Sequence, residues 1–257
     1  MGGVVTASRL RLTELARQPL TLGLLVALPP VVIELYGTSM ESFPRLPTLG
    51  ADPAVAGRLT GALFAVAFLA GLVGLFQVIS AREGDERLAV AGFPHGRMLA
   101  SRLVAMCVVA LLGAVVSFGT LSYRVEVASP VLAFAALVLA AAIYGLLGVI
   151  VGTLVPRELE GSIVLVFLAD FDNVLSSGLF SLTATVPVPF VGDVRVAETA
   201  PLYHPRELFT AAVLDGTLAG EHLAPIALWI VGLLVVAVLA YGRSTQGPTE
   251  RLAGWSA

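Results

Sequence analysis

The chain has 257 residues, 57% of them hydrophobic and 13% charged, with a formal net charge of −3. A soluble domain carries about twice that charged fraction, and packing against water does not account for so apolar a surface. The mean hydropathy of +0.92 points instead to lipid as the solvent, and the small negative charge argues against nucleic acid as a partner.

In chain order, the first predicted span is 19–36. Its apolar run is interrupted by Pro29-Pro30 and followed by Glu34. Prolines are tolerated in a membrane helix when neighbours satisfy the freed carbonyls, so a kinked helix ending near Tyr36 is expected. Arg9, Arg11 and Arg17 ahead of it would also suit a cleaved signal peptide, but no small-x-small cleavage site follows closely. Residues 59–81, between Arg58 and Arg82, are free of charge and long enough for a hydrocarbon core that takes about 20 helical residues. The runs 103–123 and 127–156 predict spans over 103–121 and 130–155, the second long enough to tilt. A fifth span is expected over 161–180 although it contains Asp170 and Asp172. Residues 181–221, with Pro187, Pro189, Pro201 and Pro205, read as a long outer connection with short helical or re-entrant pieces. A last span follows at 223–242, and 243–257 form a short tail. The fold class is therefore all-α, a single polytopic domain over 1–257 with about six membrane helices.

Arginine placement sets the orientation. With the N-terminus inside, the inner segments hold Arg9, Arg11, Arg17, Arg82, Arg87, Arg97, Arg102, Arg157, Arg243 and Arg251. The outer ones hold only Arg45, Arg58, Arg124, Arg195 and Arg206. Both termini are expected in the cytoplasm.

Several chemistries are missing. All 15 basic residues are arginine, and a phosphate-cradling loop of the G-x-x-x-x-G-K-[ST] kind needs a lysine. His95, His204 and His222 fall on different segments, so no zinc motif is visible. Asp170-Phe-Asp172 begins like a calcium loop, but Val174 stands where an oxygen ligand belongs. No G-x-S-x-G elbow occurs. The lone Cys107 permits no intrachain disulfide and reads as a packing residue. No metal site is expected.

Some polar and small residues stand out within the spans. An acid in a bilayer costs roughly 2.5–3.5 kcal/mol on insertion scales, so Asp170, Asp172 and Asn173 should face protein or water. They either line a pathway or cavity, or sit at a helix–helix contact or in the outer hairpin. Glu34 either joins that pathway or lies at the interface as a snorkelling group or cap. Gly148-x-x-x-Gly152 on one span, and Gly71 with Gly74 on another, permit close helix approach.

The most informative stretch is 81–102, AREGDERLAVAGFPHGRMLASR. Residues 85–91 suit two helical turns with Asp85 and Glu86 at the positive end, and Gly92 and Pro94 stop them. This segment resembles the cytoplasmic loop of ABC-2 type transporter permeases, in which Glu83, Glu86, Leu88, Gly92, Pro94 and Arg97 fall at matching places. The order of the other features agrees: an N-terminal amphipathic segment at 4–17, a glycine-rich end to the fourth span, and an outer hairpin containing Pro205 to Gly216 before the last span. The polar fifth span departs from the family pattern.

The resemblance implies the permease subunit of an ABC exporter in the cell membrane. It would pair with a second permease copy or paralogue, and with separate ATPase subunits that bind the ATP and magnesium. The chain itself would bind no cofactor and catalyse no reaction. Glu83, Asp85, Glu86, Arg87, Leu88, Phe93, Pro94 and Arg97 would form the surface that couples to the ATPase. Two other readings stand beside it: an ion-coupled carrier using Asp170, Asp172 and Glu34, and a membrane scaffold or sensor that transports nothing.

Overall fold

The computed structural model describes residues 19–44, 51–92, 94–177, 184–188 and 192–244. These form helices α1 (Pro19–Glu41), α2 (Pro53–Ile79), α3 (Arg82–Val90), α4 (His95–Arg124), α5 (Pro130–Leu154) and α6 (Glu158–Ser176). Strands β1 (Thr185–Val188) and β2 (Gly192–Arg195) follow, then α7 (Tyr203–Leu214) and α8 (Leu223–Ser244). Five helical segments, Gly23–Glu41, Pro53–Ile79, Gly96–Arg124, Pro130–Leu154 and Gly220–Arg243, are long and apolar enough to cross a membrane. The architecture is that of a helical multi-pass membrane protein. α6 carries Glu158, Glu160, Asp170 and Asp172 and is not among those five.

Several helices run past the predicted spans because charges that look like boundaries are paired inside. α2 begins at Pro53, a residue suited to a first helical turn, and Asp52 caps it by accepting from Ala54 N at 3.1 Å. Arg58 is thus helical. α1 continues to Glu41 with Pro29 and Pro30 inside it. Arg102, which looks like the edge of the third span, lies within α4 and is fully buried. The 4–17 segment, residues 178–180 of the fifth span and the 245–257 tail lie outside the described residues.

α2 and α5 form the centre. A Cβ on Gly148 would fall 1.9 Å from Gly71 O, one on Gly74 2.3 Å from Gly145 O, and one on Gly152 2.8 Å from Leu75 O. The four glycines singled out in the sequence therefore lie on one seam, where two backbones touch and dispersion contacts accumulate along both helices. Around that pair pack α1, α4, α6, α7 and α8.

Polar contacts distinguish the two ends of the bundle. At one end Arg82 donates to the carbonyls of Gly152, Thr153 and Val155 at 3.1, 3.4 and 3.2 Å, which satisfies acceptors that the end of α5 leaves open. At the other end α7 packs on α5, and Ala128 N and Ser129 N donate to Val213 O and Ala212 O. β1 and β2 pair antiparallel there, from Thr185 opposite Arg195 to Val188 opposite Gly192. These two short strands add to the all-α architecture expected, while α7 is a short helical piece of the kind expected in this connection.

Candidate functional site

Two buried polar clusters occupy opposite ends of the molecule. The first lies under α3. That helix spans nine residues, and Gly92, at φ 79°, takes the left-handed conformation that ends it. Asp85 is 2% exposed. Its Oδ2 accepts from Arg102 Nη2 on α4 and from Tyr241 OH on α8, and Arg102 Nε also donates to the Tyr241 hydroxyl at 3.2 Å. One carboxylate thus ties three helices together.

This corrects the expectation that Asp85 contacts a partner's surface. Helical geometry turns it inward, where a buried arginine neutralises it. Glu83, Arg87, Pro94 and Arg97 remain exposed. Leu88 is 43% exposed and Val90 90%, so α3 presents two apolar side chains to its surroundings among charged groups. Phe93 and the side chain of Glu86 lie outside the described residues.

The second cluster is built on α6 at the hairpin end. Asp172, 3% exposed, accepts from Tyr144 OH on α5 at 2.5 Å and from Leu202 N at 3.1 and 3.2 Å. Leu202 immediately precedes α7, so the carboxylate pins the connection between α6 and α7 to the core. Asn173 donates to Tyr36 OH on α1 at 3.1 Å. Asp170 differs from both. It is exposed, beside Phe167 and Phe171 at 71% and 67% exposure. Successive helix positions turn about 100°, so residues two apart face nearly opposite ways.

Glu34 is separate from this cluster. It accepts from Arg124 Nε at 2.6 Å and lies 3.8 Å from Arg58 Nη2, which joins α1, α2 and α4. The structure makes it a three-helix tie.

The fold also joins two residues that look unrelated in sequence. His204 Nδ1 and His222 Nδ1 are 3.0 Å apart, so one donates and the other accepts. Burial foremost, and His222 next, push His204 below its usual value. The sequence signal was weak because 18 residues separate them. Among the described residues no group of three His, Cys, Asp or Glu could hold a metal ion.

A cavity of about 360 Å³ adjoins the Asp172 cluster, between α1, α2 and α6. Compared with known proteins, the sequence matches no family model and no curated protein.

Proposed function

We propose that the chain is the membrane-spanning subunit of an ATP-driven ABC-2 type transporter, acting as an exporter. In this reading α6 is a sixth span, the α3 end is cytoplasmic, and the β-hairpin and α7 lie outside as a re-entrant cap. The observation that carries the proposal is α3. A short helix between the second and third spans is anchored from beneath and exposes Leu88, Val90 and charged residues above.

That arrangement suits the transmission of force. A partner groove would draw energy from the apolar anchors while the charges set register. Displacement of α3 would pull, through Asp85, on Arg102 and Tyr241 at the same end of α4 and α8. The partner's nucleotide cycle would then bias two arrangements of the bundle by differential contacts. ATP and magnesium belong to that partner, and a second permease copy or paralogue completes the pathway.

The test is affinity purification of the chain with its ATPase subunit, followed by ATPase and transport assays. Leu88→Ala, Phe93→Ala and Glu86→Arg should each reduce bound ATPase or uncouple hydrolysis from transport without loss of membrane insertion. Retention of partner, stimulation and transport by all three would reduce α3 to a connector. Proton-driven transport without ATP would favour the ion-coupled carrier.

A further inference from the structure

The cavity beside Asp172 is walled by Tyr36 and Met40 of α1, Gly57 and Thr60 of α2, and Asn173 and Val174 of α6. Its walls are largely apolar, and some of its polar groups are already engaged. Asn173 donates to Tyr36 OH and Thr60 Oγ1 to Ala56 O. Leu35 and Val174, also on its lining, are 58% and 45% exposed. The opening therefore faces sideways, between the outer faces of α1 and α6.

Asp170 stands one helical turn before Val174 on the same exposed face. It makes no hydrogen bond or ion pair with any described residue. A carboxylate on an apolar, outward-facing stripe calls for a cation or water. The guanidinium groups of Arg58 and Arg124 pair with Glu34 instead. No basic residue lines the cavity among the described residues.

We propose that the cavity and Asp170 form a lateral site for a lipophilic cation. The apolar body enters between α1, α2 and α6, and its ammonium or onium centre reaches past Val174 to the Asp170 carboxylate one helical turn away. As a substrate site this rests on the transport reading, in which cargo enters sideways from the leaflet at the hairpin end. The binding itself requires no ATPase.

The experiment uses the full chain in phosphatidylcholine nanodiscs and measures tetraphenylphosphonium binding by equilibrium dialysis, with empty discs subtracted. Tetraphenylborate, an anion of the same shape, is the comparison. Saturable binding of the phosphonium but not the borate is expected. Asp170→Asn should weaken it about tenfold or more, and Asp170→Glu should largely preserve it. Val174→Trp, which plugs the rim from an exposed position, should weaken binding as Asp170→Asn does and decides the matter if Asp170→Asn fails to fold. Absence of phosphonium binding, equal binding of the borate, or undiminished affinity in Val174→Trp and folded Asp170→Asn overturns the site. Binding with these properties in a chain that never captures an ATPase subunit supports the site and removes the ABC reading alone.

Discussion

Gly148 shows at the scale of one residue how little room the α2–α5 seam leaves. Gly148→Ala would gain about 1 kcal/mol in intrinsic helix propensity. Against that, the new methyl would fall 1.9 Å from the Gly71 carbonyl oxygen, and a backbone atom cannot rotate away. Overpacking costs typically 1–3 kcal/mol, and a backbone clash this close belongs at the upper end, so the net effect is destabilising. A clear fall in melting temperature in detergent is expected, whereas Gly232→Ala, with nothing within 4 Å, should be neutral or slightly stabilising. Equal melting of the two variants would refute the seam. Asp172 is tight in another way: Asp172→Leu leaves Tyr144 OH and Leu202 N without their acceptor, at about 1–3 kcal/mol each. Asp172→Asn keeps one acceptor oxygen and should lose less. Proteolysis near Leu202 should rise in the leucine variant before the core melts.

Elements are held to one another by few, concentrated contacts. α3 is anchored through Asp85, and removing one partner of a buried ion pair typically costs 3–5 kcal/mol because the other charge is stranded. Asp85→Ala should therefore destabilise the fold by about that much and raise hydrogen exchange across α3. Glu83→Ala, at an exposed position, should do neither. The junction of α7 and α8 has a different sensitivity, to pH. His204 lies below its ordinary value of 6.5, chiefly through burial. Hence the unfolded chain binds more protons than the folded one between the folded value and 6.5. Stability from this site is intact above 6.5, falls as pH drops below it, and stops falling once pH passes the folded value. Glu198 favours the charged form without reversing the shift, and Glu221 lies 3.9 Å from His222 Nε2. Melting followed from about pH 8 to about pH 5 should show this slope, and His204→Gln should flatten it. An unchanged slope in that variant would place the titration elsewhere.

For the whole molecule, orientation is the property most directly tested. In a Cys107→Ser background, a cysteine at the exposed Arg97 should react only with membrane-permeant reagents in intact cells. One at the exposed Thr199 should react with impermeant reagents. Reversal of both would invert the orientation expected from the arginine bias. Ser101 is a poor reporter despite its place near the α3 end, since it is 3% exposed. The Arg97 and Thr199 positions lie at opposite ends of the bundle, and one labelling pattern therefore orients every helix between them.

The sequence alone determined where the apolar helices run, because a membrane helix satisfies its own backbone and needs only length and hydrophobicity to be recognised. The predicted spans over 59–81, 130–155 and 223–242 each fall largely within an observed apolar helix. The glycines of the α2–α5 seam were legible too, since few residues other than glycine permit backbones to touch. Tertiary structure decided what each polar residue does. Helical periodicity places Asp170 and Asp172 on different faces, but only the positions of Tyr144 and Leu202 show which of the two is held inside. Asp85 read as a surface charge until α4 and α8 brought Arg102 and Tyr241 to it. His204 and His222 belong to different segments and meet only when the chain turns between α7 and α8. A charge in a one-dimensional pattern marks a boundary by default, whereas in the folded molecule its meaning depends on a partner far away in sequence.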